Sequence, residues 1–166
     1  MTDIIKGRVW KYGDDINTDV IFPGKYTYTI TEPDEMAKHA LEDLDQSFAS
    51  NVQSGDVVVA GKNFGCGSSR EQAAFCLKAA KVGAVVAKSF ARLYFRNCIN
   101  AGLPVIVQAE AVNEVQKGEE ISIDLEKGVI ITASGKELSF PPLPDEVRGI
   151  VAAGGLTPWV KSQRVK

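Results

Sequence analysis

Histidine and cysteine are scarce in this chain of 166 residues. It has one histidine, His39, and three cysteines, Cys66, Cys76 and Cys98. A serine hydrolase would need a histidine as its base, and His39 lies in a predicted helix, so that class is not favoured. The cysteines lack the close pairing of zinc and iron–sulfur ligands. An odd number of them also argues against a disulfide framework and suits a reducing compartment.

Strong charge of either sign and long apolar runs are also missing. With 19 Lys and Arg against 21 Asp and Glu, the net charge is −2, which is not typical of proteins that bind nucleic acid or anionic membranes. No apolar run approaches the roughly 20 residues that span a bilayer, and the first residues do not resemble a signal peptide. We therefore expect a cytoplasmic protein with neither a nucleic-acid nor a membrane partner.

Short, continuous apolar runs characterise the middle of the chain. They cover residues 57–60, 83–87 and 104–107, and because they do not alternate with polar residues they predict strands covered on both faces. Residues 69–82 and 90–100, between these runs, have the apolar spacing of helices. The pattern predicts an α/β fold with a β-α-β-α-β core and a parallel sheet.

The flanking segments predict a different arrangement. Residues 121–125 alternate with period two, and turn signals precede the short apolar runs at 129–131 and 138–140. This pattern predicts an antiparallel meander with one solvated face. Helices are predicted for residues 35–44, after a proline and two acids, and from 145 to about 153.

A glycine-rich segment, residues 61–68, leads from a predicted strand into a predicted helix, the place where open α/β sheets bind ligands. Its glycines allow a close approach to a ligand, and the free N–H groups of a helical first turn suit an anion. Arg70 adds a fork that can hold a carboxylate. Because Ser68 and Glu71 have the spacing of a capping box, Ser68 can be an N-cap, a site residue or both.

Other familiar motifs do not fit this segment. Residues 65–70 lack the third small residue of the dinucleotide-binding fingerprint, and the Lys62 that follows Gly61 is not followed by the Ser or Thr of a phosphate loop. Cys66 lies in the segment, but a lone cysteine without a histidine is weak evidence for a nucleophile.

Three motifs carry a resemblance to a known family. Residues 63–71, NFGCGSSRE, resemble the N-[FY]-G-x-G-S-S-R-E signature of the aconitase swivelling domain. Residues 14–19, DDINTD, resemble its early D-D-I-[NS]-T-D segment, and residues 88–97, KSFARLYFRN, resemble its S-F-[AG]-R-I-[FH]-x-x-N stretch. With its length, the chain is identified as a member of the aconitase superfamily. It is similar to the short, separately encoded small subunits, with residues 1–166 as a single swivelling domain.

The resemblance implies a β/β/α swivelling domain that closes over a [4Fe–4S] cluster carried by a large subunit, with no cofactor bound by this chain. It implies a hydro-lyase, active only as a heterodimer, that removes water from a 2-hydroxy acid and adds it back at the neighbouring carbon. Ser68 matches the catalytic base, and Ser69 and Arg70 match substrate-binding positions. Thr18 and Asp19 match the rim of the site, although Asp19 could instead only organise its loop through an Asx turn.

The resemblance also bears on the substrate. Residues 26–29 read YTYT where homoaconitase-like members carry Y-L-R-T, so Tyr28 replaces an arginine that would pair with an extra carboxylate. Tyr26 and Tyr28 are therefore predicted to bind the substrate as a wall for an alkyl group, with ordinary loop packing as the alternative. The expected substrates are the isopropylmalates of leucine biosynthesis. Citramalate, 2,3-dimethylmalate and homoaconitate are alternatives, and a non-catalytic assembly subunit is a further one.

Overall fold

The computed structural model describes residues 4–164, and one mixed sheet of seven strands runs through them in the order β4-β3-β2-β1-β5-β6-β7. The strands from β4 to β1 are parallel, and those from β1 to β7 are antiparallel. The predicted α/β class, with its parallel core and antiparallel meander, is confirmed. The strands are β1 (Ile4–Lys11), β2 (Val57–Ala60), β3 (Ala84–Ala87), β4 (Val105–Val107), β5 (Glu120–Asp124), β6 (Val129–Ile131) and β7 (Glu137–Ser139).

Helices connect the parallel strands and cover the sheet. Among residues 4–164, no helix has both the length and the apolar character needed to span a lipid bilayer. The helices are α1 (Thr18–Ile21), a 3-10 helix (Gly24–Tyr26), α2 (Pro33–Lys38), α3 (Phe48–Asn51), α4 (Gln72–Ala79), α5 (Arg92–Asn100), α6 (Ala109–Glu114), α7 (Asp145–Ala153) and α8 (Leu156–Arg164).

Two cores lie on the two faces of the parallel strands. Every residue of β2 and β3 is buried, as their unbroken apolar runs predicted. Because successive side chains point to opposite faces, alternate residues of these strands join different cores. Val58 and Val85 pack with the buried faces of α4 and α5, whereas Val57 and Val86 pack with α6 and the apolar side chains of the meander.

Strand β1 joins the parallel and antiparallel halves, and the sequence did not predict it. It pairs in parallel with β2 and antiparallel with β5. Its burial follows no simple alternation, because only Val9 and Trp10 are deeply buried. At Gly7, an added side chain would overlap the backbone of Gly55, so the chain approaches the turn before β2 very closely.

The predicted helix at residues 35–44 is shorter than expected, and the prediction for its second half is wrong. Helix α2 ends at Lys38. Leu41 then adopts a φ of 57° and donates its backbone N–H to the carbonyl oxygen of Ile21 at 2.8 Å. A helical residue would donate within its own helix, so this contact with the end of α1 replaces the helix.

Candidate active site

The glycine-rich segment is tied by backbone hydrogen bonds to the early segment at residues 16–18. Gly65 donates its N–H to the carbonyl oxygen of Ile16 at 2.8 Å, and Thr18 donates its N–H to the carbonyl oxygen of Cys66 at 2.9 Å. The two segments therefore run side by side as a short parallel bridge. This pairing brings the Thr18 side chain next to Ser68, although fifty positions separate them.

The third motif holds the glycine-rich segment from the other side. Phe64 donates its N–H to the carbonyl oxygen of Ser89 at 3.0 Å, and Ala91 donates its N–H to the carbonyl oxygen of Phe64 at 2.9 Å. Farther along, Asn97 on α5 donates its side-chain amide to the carbonyl oxygen of Ser69 at 3.0 Å. The three motifs are thus neighbouring parts of one site.

The glycines of this segment are required by conformation and by space. Gly65 and Gly67 have φ angles of 84° and 99°, a region that disfavours residues with a Cβ atom. At Gly65, a Cβ would also overlap the ring of Tyr94, which is buried and donates its hydroxyl to the carbonyl oxygen of Ala73 at 3.0 Å. The backbone can therefore turn towards Ser68 while remaining packed against α5.

The capping box that the Ser68–Glu71 spacing predicted does not form. Helix α4 begins at Gln72, with Glu71 as its N-cap and no side-chain hydrogen bond from that cap. The prediction that the helix begins at residue 69 is wrong, because the preceding residues contact other parts of the site. The side chain of Ser68 is consequently available for those contacts.

Two hydrogen bonds meet at the Ser68 hydroxyl. Its Oγ lies 3.0 Å from Oγ1 of Thr18 and also accepts a hydrogen bond from Nε of Arg70 at 3.0 Å. The Arg70 guanidinium can only donate, and it carries a full positive charge. A charged donor of this kind stabilises negative charge on the Ser68 oxygen more than it stabilises the neutral hydroxyl.

The Arg70 guanidinium is largely enclosed, with 20% of its side chain exposed. Besides its bond to Ser68, it donates from Nη1 to Oγ1 of Thr27 at 2.9 Å and forms an ion pair from Nη2 to the carboxylate of Asp19. Each nitrogen of the guanidinium therefore has one partner. These contacts hold the charged group in one orientation at the surface of the site.

Comparisons with known proteins agree with these features. Residues 13–111 match the family model of the aconitase C-terminal domain. A curated protein from Caldicellulosiruptor bescii, named 3-isopropylmalate dehydratase small subunit, is 50% identical over 164 residues, which cover 98% of each chain. One from Archaeoglobus fulgidus, named 3-isopropylmalate dehydratase small subunit 1, is 52% identical over 159 residues, covering 95% of this chain and 98% of that protein. The chain belongs to the 3-isopropylmalate dehydratase small-subunit family.

A solved structure confirms the fold of this family member. The crystal structure of a 3-isopropylmalate dehydratase from Methanocaldococcus jannaschii matches it with a TM-score of 0.90 at 45% identity, covering 98% of this chain and 96% of that chain. The resemblance to the aconitase superfamily is therefore confirmed, and the family match spans all three motifs.

In this small-subunit family member, the predicted site residues divide into two groups. Thr18, Asp19, Ser68 and Arg70 lie together through the contacts above. Ser69 is next to them and exposed, and its carbonyl oxygen is bonded to α5.

The two predicted tyrosines lie on either side of Thr27 in the chain and have different surroundings. Tyr26 stacks on His39 with ring centroids 4.2 Å apart, and it lines a polar cleft with Glu42 and Asp45. Tyr28 is 95% exposed.

Thr27 is a contact of Arg70 that sequence reasoning missed. It lies between the two tyrosines, and its hydroxyl, not either ring, contacts Arg70. No residue pattern marks a lone threonine in a loop for such a role. Only the fold brings the turn after the 3-10 helix against the segment that carries Arg70.

The cysteines of the described residues do not form a site for a cluster. Cys76 and Cys98 are buried, and burial raises the pKa of the Cys98 thiol to about 12, which opposes formation of a metal-binding thiolate. Within residues 4–164, no three His, Cys, Asp or Glu side chains are grouped so that they could hold a metal ion. These residues therefore do not fit an iron–sulfur cluster bound by this chain alone.

Proposed function

We propose that this chain is the small subunit of a 3-isopropylmalate dehydratase and that Ser68 is the catalytic base. The observation that carries this proposal is the convergence of Arg70 Nε and Thr18 Oγ1 on Ser68 Oγ, each at 3.0 Å. The family membership supplies the reaction, an interconversion of 2- and 3-isopropylmalate by dehydration and rehydration in leucine biosynthesis.

The base must act as an alkoxide, because a serine hydroxyl has no proton-accepting power comparable to that of an anion. The Arg70 Nε–H group stabilises the alkoxide by a charge-assisted hydrogen bond. Thr18 can donate its own hydroxyl proton to the same oxygen once Ser68 has lost its proton. Ser68 Oγ then removes a proton from the substrate carbon next to the carbon that bears the hydroxyl group. The C–H electron pair forms the C=C bond as the C–O bond breaks, and the proton and the departing hydroxide together account for the water removed.

Arg70 has a second role, in holding a substrate carboxylate. The guanidinium has five N–H groups, of which Ser68, Thr27 and Asp19 occupy three. One N–H group remains on each terminal nitrogen, and these groups can donate to a carboxylate. Ser69, Thr18 and Asp19 complete the proposed substrate-binding set beside it.

The [4Fe–4S] cluster is proposed to belong to a large subunit, since the described residues of this chain do not fit it. A cluster iron supplies Lewis acidity towards the substrate hydroxyl and a carboxylate when bound. The role of this chain in the reaction is to bind a substrate carboxylate and to take up the substrate proton at Ser68 Oγ. We further propose a cytoplasmic heterodimer in which residues 1–166 act as one swivelling domain.

Isopropylmalate is the proposed substrate for two reasons. The relatives carry that substrate in their names, and Tyr28 stands where an arginine would favour an additional carboxylate. Tyr28 and Tyr26 would reach the alkyl group of the substrate after closure of residues 24–29 against the large subunit.

The test is an assay of this chain co-expressed with its large subunit, with the cluster reconstituted without oxygen. Alkene absorbance is followed with isopropylmalate, citramalate and homocitrate. We expect isopropylmalate turnover to need both chains and to fall about a thousandfold in Ser68→Ala, the range that loss of a general base produces. Ser54→Ala is the matched control, because the turn that contains Ser54 lies at the opposite end of β2.

Each part of the proposal can fail separately. Full activity of Ser68→Ala would remove Ser68 as the base. A preference for citramalate or homocitrate would leave the mechanism and overturn the substrate. Inactivity towards all three acids with an intact cluster would favour a non-catalytic assembly subunit.

A further inference from the structure

We propose that Thr27 is a positioning residue, which sets the orientation of Arg70 and so links the loop at residues 24–29 to the carboxylate-binding site and to Ser68. The catalytic consequence rests on the proposed function. The structural part, that Thr27 orients Arg70, holds for the free chain and can be tested on it alone.

The hydroxyl of Thr27 has a defined donor and acceptor. It donates its single proton to the carbonyl oxygen of Gly24 at 2.8 Å. Its oxygen then accepts from Arg70 Nη1 at 2.9 Å, and the direction is certain because a guanidinium cannot accept. The result is a chain of two hydrogen bonds from Arg70 through Thr27 to the backbone of the 3-10 helix.

The backbone of the same loop also forms the wall against which Arg70 lies. A Cβ added at Gly24 would be 2.9 Å from Arg70 Nη1 and 3.1 Å from Asp19 Oδ1. The guanidinium therefore packs directly on the first residue of the 3-10 helix, and a side chain at that residue would displace the guanidinium. A shift of this loop changes both the wall and the hydrogen-bond acceptor of Arg70.

Movement of the loop would reach Ser68 through the planar guanidinium. Nη1 is bonded to Thr27 and Nε is bonded to Ser68, and the rigid fork keeps these two atoms in a constant relation. Displacing Thr27 therefore turns the donor that stabilises the Ser68 oxygen. The fully exposed Tyr28, next in sequence, is placed so that a substrate or partner touching it acts on Thr27.

The functional test uses the reconstituted two-subunit enzyme with three variants. Thr27→Val keeps the shape of the side chain and removes the hydroxyl, whereas Thr27→Ser keeps the hydroxyl. Thr29→Val makes the same chemical change at an exposed position two residues further on. We expect Thr27→Val to raise KM about tenfold, with a smaller effect on kcat, because a hydrogen bond to a charged group that binds substrate is lost. Thr27→Ser and Thr29→Val should stay near the native values.

The structural test uses the isolated chain and NMR of arginine side chains. The Nε–H signal of Arg70 is assigned by its absence in Arg70→Lys. We expect this signal to shift or broaden in Thr27→Val, and to keep its position in Thr27→Ser and Thr29→Val. This measurement does not depend on the large subunit, the cluster or the identity of the substrate.

The outcomes separate this inference from the proposed function. An unchanged Arg70 signal in Thr27→Val overturns the positioning role, and a perturbed signal with native KM and kcat overturns its catalytic consequence. A reconstituted enzyme that is inactive towards every acid would refute the proposed function. The Arg70 signal would still decide whether Thr27 orients the guanidinium.

Discussion

Two arginine–aspartate pairs in this molecule have opposite patterns of burial. Arg8 and Asp56 lie 3.4 Å apart, and the arginine side chain is 42% exposed while the aspartate is 3% exposed. In the pair of Arg70 and Asp19 the arginine is the enclosed partner, at 20%, and the aspartate is 71% exposed. Whether the fold buries the acidic or the basic partner indicates the role of each pair.

At the first pair, hydrogen bonds from the surrounding residues occupy the oxygens of the buried Asp56 carboxylate. Asp56 also accepts from Trp10 Nε1 at 2.9 Å and from the backbone N–H groups of Gln53, at 2.9 Å, and Arg8, at 3.1 Å. These bonds join β1 to the turn before β2, and they leave little capacity for a ligand.

At the second pair, the enclosed group is a cation that keeps unused N–H groups beside the Ser68 hydroxyl. The first arrangement stabilises the fold, and the second suits the binding of an anion.

Of the two arginine–aspartate pairs, the one with the enclosed arginine is expected to have the larger effect on activity. Arg70→Lys keeps the charge but loses the planar fork, and we expect kcat/KM of the reconstituted enzyme to fall about a hundredfold. Arg8→Lys is the matched control and should leave kcat/KM unchanged. Equal losses in both variants would show that the two pairs do not differ in function.

The largest expected effect on stability comes from the other pair. Asp56→Ala leaves buried donors of Trp10, Gln53 and Arg8 without an acceptor, so the free energy of unfolding should fall by about 3 kcal/mol. Asp19→Ala should change it by less than about 0.5 kcal/mol, because the aspartate is exposed. Urea unfolding of both variants gives the comparison, and a larger loss in Asp19→Ala would reverse our assignment of the structural pair.

A smaller effect is expected in the pH dependence of stability. Burial raises the pKa of the Asp56 carboxyl, but the hydrogen bonds from Trp10, Gln53 and Arg8 outweigh burial and bring the pKa below its ordinary value. A lowered pKa in the folded state contributes stability above the unfolded pKa, and this stability is lost as the pH falls through the folded value.

The variant Asp56→Asn isolates this contribution. It should be less stable than the native chain at about pH 7, and the difference should shrink below about pH 4, as the carboxylate of the native chain takes up a proton. Urea midpoints of both proteins across this range give the measurement. A difference that stays constant with pH would mean that the Asp56 charge contributes nothing to folding.

Much of the fold was predictable because local patterns and the final structure agree. The unbroken apolar runs of β2 and β3 predicted strands covered on both faces, and two cores do cover them. Helix α7 and the meander also follow the predicted segments closely. In each case, the apolar positions of the sequence pattern are the positions that the fold buries.

The wrong or missing predictions are places where distant contacts override local signals. The capping-box spacing at Ser68 was present, but α4 begins at Gln72 because the Ser68 and Arg70 side chains bond elsewhere. The helix at residues 35–44 was predicted too long because nothing local shows that Leu41 bonds to Ile21. Strand β1 has no clear period because its burial does not alternate, and only Val9 and Trp10 are deeply buried.

The sequence by itself determined the fold class and the superfamily and nominated most residues of the candidate site, since apolar runs and motif strings record local requirements of the backbone and of the chemistry. Only the tertiary structure decided which side chains meet. The pairing of residues 16–18 with 65–66 places Thr18 beside Ser68, and packing of the 3-10 helix places Thr27 on Arg70. Such contacts depend on backbone hydrogen bonds between segments far apart in the chain, and these leave no periodic signal.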